Sequence, residues 1–309
     1  MNELEIIESI RRMAPQLGRS GIVTGIGDDC AIYRPRGSRE DQLFTTDLVL
    51  EGVHFRRDAH PARAVGWRTL ARGLSDIAAM GGTPRFCLIS LALAPWTDSR
   101  WVKTFYRGLL DLAHRAGVVL AGGDLSRAEK VACDVVVCGS VARGRALCRN
   151  GARPGDAIYV SGRLGGSALG LERRSGAAWK THLRPEPRIE LGQFLSKKLR
   201  ASSAMDLSDG LSLDLRRLCL ASGVSALLEG ELPVFPGATV NQALHGGEDY
   251  ELLFTTRPRT PVPAQHAGIP LTRIGTIGRK TPVSIEFEGN RLEPLGWDPF
   301  RRRRITPVP

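Results

Sequence analysis

The chain has 309 residues, which is enough for about two domains of ordinary size. Hydrophobic residues make up 42% and charged residues 24%, a balance that excludes a collagen, a coiled coil and a largely disordered chain. The net charge of +11 favours polyanionic partners, from nucleotides and phosphorylated metabolites to nucleic acid or a membrane surface. Part of this charge lies in the arginine run at 301–304, which we interpret as a solvated basic tail.

No segment approaches the length of a membrane helix, because the longest apolar stretch, residues 86–94, contains Ser90 and ends before Pro95. The first residues are acidic and do not resemble a signal peptide, so we expect a cytoplasmic protein with no membrane partner. The six cysteines form no Cys-x-x-Cys pair. They are therefore expected to be buried thiols and not disulfides.

Helix and strand signals alternate along the chain and predict a mixed α/β (α+β) protein. The predicted helices cover 4–14, 61–80, 101–116, 166–174, 187–199 and 210–222. The predicted strands cover 44–50, 88–93, 118–121, 131–141 and 157–160. A segment rich in turn formers at 151–156 indicates a boundary near residue 149, giving an N-terminal domain 1–148 and a C-terminal domain 149–309.

The usual nucleotide and zinc signatures are missing, but a set of aspartates lies where strand ends and tight turns are expected. Taken singly, each is typical of a turn or a helix cap. Asp76 is different, because it lies on the apolar side of a predicted helix, where a lone carboxylate is costly. The set consists of Asp28, Asp29, Asp47, Asp76, Asp124, Asp206 and Asp209.

If several of these carboxylates converge, their mutual repulsion requires a cation, and oxygen ligands favour Mg²⁺. Mg²⁺ commonly joins carboxylates to substrate phosphates. Glycine pairs such as Gly122-Gly123 let backbone N–H groups approach a phosphate, although plain turns explain them equally well. An acidic cluster in a basic chain therefore predicts a metal–nucleotide site.

Short motifs follow one another along nearly the whole chain: GIGDDCA (25–31), TTD (45–47) with His54, LSDIAAMG (74–81), GGD (122–124), GRALCRNG (144–151), PGD (154–156), MDLSDGL (205–211) and GGEDYEL (246–252). This ordered set resembles the thiamine-monophosphate kinase family, which belongs to the wider group of aminoimidazole ribonucleotide synthetase-like proteins. The family more often has Thr after Gly-Gly-Asp, whereas this chain has Leu125-Ser126.

The resemblance implies a two-domain fold whose N-terminal domains pair into a barrel across a homodimer. It implies transfer of the γ-phosphate of ATP to thiamine monophosphate, giving thiamine diphosphate, with Mg²⁺ as cofactor. The implied metal ligands are Asp29, Thr45, Thr46, Asp47, Asp76, Asp124, Asp206 and Asp209. The implied ATP contacts are Gly123, Asp124, Arg149 and Ser208, and the implied substrate contacts are His54, Glu248 and Trp297.

Direct phosphoryl transfer relies on positioning and charge neutralisation, so no general base is assigned. Aminoimidazole ribonucleotide synthetase, selenophosphate synthetase and a hydrogenase maturation factor share the fold and remain alternatives. The second is expected to carry a reactive Cys or selenocysteine near its N-terminus, and the third a reactive C-terminal Cys. Here the first Cys is Cys30, inside a metal motif, and the chain ends in Pro309. A basic nucleic-acid binder is a further alternative, although recognisable binding motifs are missing.

Overall fold

The computed structural model describes residues 2–14, 21–279 and 283–300, so the arginine run 301–304 lies outside the described residues. The helices of the described part are α1 (Glu3–Met13), α2 (Ala62–Ala79), α3 (Ser99–Ala116), α4 (Gly166–Arg173), α5 (Gly176–Leu183), α6 (Ile189–Phe194), α7 (Leu211–Ser222) and α8 (Val240–His245). The N-terminal strands are β1 (Ile22–Thr24), β2 (Ala31–Tyr33), β3 (Glu40–Leu50), β4 (Thr83–Leu93), β5 (Val119–Arg127) and β6 (Ala132–Ala142). The remaining strands are β7 (Ala157–Ser161), β8 (Ser203–Asp206), β9 (Ser225–Leu228), β10 (Leu252–Thr256), β11 (Gln265–His266), β12 (Ile269–Gly278), β13 (Ile285–Phe287) and β14 (Asn290–Arg291).

The first six strands form one sheet in the order β1-β2-β3-β6-β4-β5. Strand β3 pairs with β6 along its whole length in antiparallel register, and β5 runs parallel to β4 at the edge. Side chains alternate between two faces, as the period of a strand requires. On β3, Leu43, Thr45 and Val49 are buried on the inner face, whereas Phe44, Thr46 and Leu48 are exposed on the outer face.

Helices α2 and α3 pack against each other beside this sheet, and α2 is buried on nearly all sides. Two glycines allow the close approach of the two helices. A Cβ on Gly66 would lie 1.9 Å from the Phe105 carbonyl oxygen, and one on Gly108 would lie 1.8 Å from the Arg63 carbonyl oxygen. Any larger side chain there would force the helices apart, and this packing fixes the position of the polar residues on α2.

The second sheet has the order β14-β13-β9-β12-β7-β10-β8, with β11 paired to β12. Helix α7 packs beside it, and its Leu215 and Leu218 belong to a core with Ile158, Val160 and Leu253. Helix α6 packs against α2 of the N-terminal part. The strands of the two sheets fall on either side of residue 149, but the domain boundary predicted there stays a prediction.

Most predicted elements are present, but the ends of several differ. The short strand expected at 118–121 continues through Gly122, Gly123 and Asp124 as β5, so these residues form no turn. Position 123 of this edge strand requires glycine, because its backbone lies against that of Ile89. A Cβ there would come within 1.8 Å of the Ile89 carbonyl oxygen.

Asp47 and Asp124 therefore lie inside strands, so the expectation that they sit at a strand end or turn was wrong. Asp76 lies inside α2, which confirms its predicted position in a helix. The helix expected at 187–199 is α6 followed by a π-helical turn, Leu195–Leu199. The six cysteines are free thiols, as expected, and five of them are buried. Among the described residues no helix is long and apolar enough to cross a membrane.

Candidate functional site

A cavity of about 340 Å³ opens between α2, β3 and the loops of the second sheet. Its wall carries residues of both sequence halves, which the long-range packing of α2 brings together. The lining residues are Glu3, Asp47, Val53, His54, Arg72, Asp76, Ser167, Ala168, Leu171, Asp206, Ser208, Asp209, Gly247, Glu248, Tyr250, Trp297 and Pro299.

Three predicted metal ligands, Asp29, Asp76 and Asp206, converge on one another, and Asp76 and Asp206 also line this cavity. One carboxylate oxygen from each lies within 4.8 Å of the other two. Asp29 comes from the turn before β2, Asp76 from the inside of α2, and Asp206 from the end of β8. The Asp29 Oδ2 atom is buried and has no hydrogen-bond partner among the described residues. An orphaned carboxylate oxygen beside two further carboxylates fits a hard divalent cation.

The electrostatics of the cluster agree with this interpretation. Burial, followed by the charge of Asp47, raises the pKa of Asp76 well above its ordinary value. Burial and the charge of Asp29 raise the pKa of Asp206 in the same way. Without a cation, the cluster therefore favours protonation. A divalent ion would stabilise the ionised form, which is the form that binds metal.

Neighbouring residues orient these carboxylates. The Thr45 hydroxyl on β3 donates to Asp76, and the Ser75 hydroxyl donates to Asp206 at 2.7 Å. The Arg149 guanidinium binds Asp29, and the backbone N–H of Arg149 lies 3.2 Å from a carboxylate oxygen of Asp28. The predicted ATP contact Arg149 thus lies directly beside the cluster, where its positive charge can also reach a phosphate.

Helix α2 contributes Arg72 and Asp76 to the cavity wall, and Arg68 lies one turn earlier on the same side of the helix. Arg68 donates to Glu248 Oε1 at 2.5 Å and also to the His182 carbonyl oxygen. Arg72 donates to Asp47 Oδ1 and to the Tyr250 hydroxyl, each at 3.1 Å. Burial alone would raise the pKa of Glu248, but Arg68, His182 and Arg72 together lower it to about 2. Glu248 is therefore an ionised carboxylate at neutral pH.

The segment that carries Glu248 is held in an unusual backbone conformation. Glu248 and Tyr250 have positive φ angles of 65° and 51°, which side-chain-bearing residues rarely adopt. Between them, Asp249 accepts hydrogen bonds from the N–H groups of Gly165 (2.7 Å) and Ser167 (3.1 Å) at the start of α4. Such strained positions are maintained at functional sites when surrounding contacts fix them. Here the contact with α4 aims Glu248 into the cavity.

The other two predicted substrate contacts, His54 and Trp297, and the predicted ATP contact Ser208 line the same cavity. Trp297 is 39% exposed, and its backbone N–H donates to the Asp209 carbonyl oxygen at 2.8 Å. The His54 Nδ1 atom accepts from the Leu50 N–H at 3.0 Å, and burial lowers the pKa of His54 to about 4. His54 is therefore neutral. Ser208 and Asp209 follow β8, and Asp209 forms an ion pair of 2.5 Å with Arg217.

Three predicted site residues, Thr46, Gly123 and Asp124, lie away from the acidic cluster of this chain. Thr46 lies on the outer face of the sheet, where its hydroxyl donates to Asp134 Oδ1 at 2.7 Å. Asp124 is opposite Ser90 on the same outer face and lines a small surface depression with Ser126 and Asp134. Gly123 lies beside it on the edge strand. Their roles stay predictions.

Sequence reasoning missed Arg68, Arg72 and His182, which surround Asp47 and Glu248. A signal was present for the two arginines, because they precede Asp76 at intervals of four residues in a predicted helix. No such signal existed for His182, whose approach to Glu248 depends on the packing of α5 near α2.

Comparison with known proteins identifies relatives along almost the whole chain. Residues 27–141 match the family model of the AIR synthase related protein, N-terminal domain. A thiamine-monophosphate kinase of Bacillus subtilis is 34% identical over 97% of this chain and 100% of the relative. One of Escherichia coli is 39% identical over 88% of this chain and 92% of the relative.

Solved structures give the same result. AaThiL complexed with AMPPCP and TMP is 32% identical, covers 97% of both chains and superposes with a TM-score of 0.84. The thiamine-monophosphate kinase of Stenotrophomonas maltophilia is 35% identical over 93% of this chain and 96% of its own, with a TM-score of 0.74. With this identity over nearly its full length, the chain belongs to the thiamine-monophosphate kinase family and has the AIR synthase-like fold.

Proposed function

We propose that this protein transfers the γ-phosphate of ATP to thiamine monophosphate, giving thiamine diphosphate. The observation that carries the proposal is the triad Asp29, Asp76 and Asp206, whose ligand atoms lie within 4.8 Å of one another and whose members Asp76 and Asp206 line a cavity together with Glu248 and Trp297. A metal-binding region and a region suited to a cationic aromatic substrate thus share one space. The relatives named above carry the same activity in their names.

Mg²⁺ fits the donor set, because all of the candidate ligands are oxygens and Asp29 Oδ2 is otherwise unpartnered. We propose that Asp29, Asp76 and Asp206 hold it, with Thr45, Asp47 and Asp209 close by. When bound, Mg²⁺ neutralises charge on the phosphates of ATP and on the group transferred. Thr46 and Asp124 remain predicted ligands whose side chains lie on the outer face of the sheet.

The chain's own residues orient both substrates. We propose that Arg149, which contacts Asp29 of the acidic cluster, and Ser208, which lines the cavity, bind the nucleotide phosphates. The exposed face of Trp297 suits the thiazolium cation, and ionised Glu248 offsets its positive charge. The acceptor is a phosphate monoester that is already largely ionised at pH 7, since its second pKa is near 6. In-line attack on the γ-phosphate therefore requires no general base.

We also propose that the protein is a cytoplasmic homodimer formed through the outer face of the N-terminal sheet. That face exposes large apolar side chains, among them Phe44, Leu48, Phe86 and Leu88, which are 36% to 49% exposed in the single chain. The edge strand β5 has one unpaired side within the described residues. Exposed apolar faces and open strand edges of this kind are typically covered by another copy.

The direct test is a product assay with ATP, Mg²⁺ and thiamine monophosphate. We expect thiamine diphosphate and ADP in equal amounts, and no reaction when Mg²⁺ is withheld. Aminoimidazole ribonucleotide precursors serve as the control substrate for the related synthetases. Turnover of that control together with no thiamine diphosphate would contradict the proposal.

A further inference from the structure

Arg72 is a partly buried cation in the cavity wall, between the acidic cluster and the residues proposed to hold the thiazolium. It lies one helical turn before Asp76 on α2, and its side chain is 17% exposed. Its Nη2 atom donates to Asp47 on one side, and its Nη1 atom donates to the Tyr250 hydroxyl on the other. The guanidinium therefore lies where the two substrates must meet.

One edge of this guanidinium is only half used. The Nε and Nη2 atoms of an arginine form a fork that matches two oxygens of a carboxylate or a phosphate. Arg34 shows the complete arrangement in this protein, with Nε 2.6 Å and Nη2 2.8 Å from the two oxygens of Asp41. Of the two fork atoms of Arg72, only Nη2 has a hydrogen-bond partner, which is Asp47. The Nε atom is buried without a hydrogen-bond partner among the described residues.

Balancing nearby negative charge does not account for this geometry. Glu248 is already bound by Arg68 at 2.5 Å, whereas Arg72 Nη1 lies 3.8 Å from the same carboxylate, beyond hydrogen-bond distance. Asp47 takes one arm of the fork and leaves the other unpaired. A buried N–H without a partner is costly unless a ligand completes it.

We propose that Arg72 binds the phosphate of the acceptor, thiamine monophosphate, through its Nε–Nη2 edge. The proposal rests on the proposed function and adds a specific residue for recognition of the acceptor phosphate. A phosphate monoester offers the two oxygens that the fork requires and carries close to two negative charges at neutral pH. Binding through both arms would require Asp47 to release Nη2, after which its carboxylate would be free to act as one of the oxygen ligands for Mg²⁺.

The test is calorimetric binding of thiamine monophosphate and of thiamine, each with Mg²⁺ and a non-hydrolysable ATP analogue present. Thiamine has the same rings but no phosphate. For Arg72→Gln we expect the affinity for thiamine monophosphate to fall by at least about tenfold, as for loss of a charge-assisted hydrogen bond. The affinity for thiamine should stay within about twofold. Arg72→Lys keeps the charge but loses the fork. We expect its affinity for thiamine monophosphate to lie between those of the wild type and Arg72→Gln, and its affinity for thiamine to be unchanged.

Arg34→Gln is the matched control, because it removes a forked arginine that follows β2 and does not line the cavity. It should lower the melting temperature without changing the ratio of the two affinities. An equal loss for both ligands, or no loss, in Arg72→Gln would overturn the assignment. If that variant does not fold, Arg72→Lys decides the question by the same ratio. A wild-type protein that neither binds nor phosphorylates thiamine monophosphate would instead reject the proposed function.

Discussion

The two faces of the N-terminal sheet differ in chemistry although the same strands build both. On the inner face, β3 directs Thr45 and Asp47 towards α2 and the acidic cluster. On the outer face, it directs Phe44, Thr46 and Leu48 away from the rest of the chain, and Leu48 is 49% exposed. Because side chains alternate along a strand, neighbouring residues can serve a polar site and a subunit interface at once.

The inner face gives the largest expected effect, through Asp47→Asn. This change keeps size and hydrogen bonding but removes one negative charge, and we expect turnover to fall by at least about 10²-fold. Burial already raises the pKa of Asp47, so losing its charge should change the metal-free melting temperature little. Turnover and melting temperature should be measured together. A variant that melts early yet turns over normally would identify Asp47 as a structural residue only.

The variant Asp124→Asn tests whether the outer face of the N-terminal sheet takes part in the reaction. Asp124 is a predicted metal ligand, so we expect turnover to fall by at least about tenfold and the KM for ATP to rise. Glu129→Gln, which removes the same charge from an exposed position just after β5, is the control. Equal and normal kinetics for both variants would confine the site to the inner face.

The variant Leu88→Glu tests whether the outer face of the N-terminal sheet forms the dimer interface. Burying a leucine is worth about 1.5–3 kcal/mol, so a buried charge in its place should weaken the dimer by at least about tenfold. Analytical ultracentrifugation over a range of concentrations measures this change. Leu171→Glu, at a similarly exposed leucine on α4, is the control and should leave the mass unchanged. A wild-type protein that is monomeric at micromolar concentration would reject this role for the face.

The smallest expected effect is a pH dependence of stability that arises from two buried histidines, His60 just before α2 and His182 on α5. His60 and His182 are buried, their Nε2 atoms are 3.0 Å apart, and burial followed by Arg68 lowers their pKa values to about 4 and about 3. Their ordinary value is 6.5, so below that pH the unfolded chain binds protons at these histidines that the folded chain does not, and their contribution to stability falls on acidification. Between pH 7 and pH 6 we expect this contribution to fall by about 1 kcal/mol. Buried carboxylates with raised pKa values, among them Asp76 and Asp206, act in the opposite direction, so the effect of the histidines is measured against a variant that lacks one of them.

The control for this effect is His182→Gln, which removes one of the two titrating groups. On going from pH 7 to pH 6, its melting temperature should shift less unfavourably than that of the wild type, because one of the two opposing histidines is gone. An unchanged slope would show that the pair does not cause the acid sensitivity.

The sequence by itself determined the fold class, the family and most of the chemistry of the site. Its local patterns specify α2 and β3, and the aspartates of short motifs indicate oxygen ligands for a divalent cation. These features depend on residues that are near one another in the chain, so they can be interpreted without a structure.

Only the tertiary structure decided which motif residues meet. Asp29, Asp76 and Asp206 are far apart in sequence and converge because α2 packs between the two sheets, whereas Thr46 faces away because one residue along a strand changes its side. The roles of Arg68 and Arg72 likewise depend on the loop of Glu248, which approaches α2 only in the folded chain. Long-range packing, which no local pattern encodes, brings the two halves of the site together.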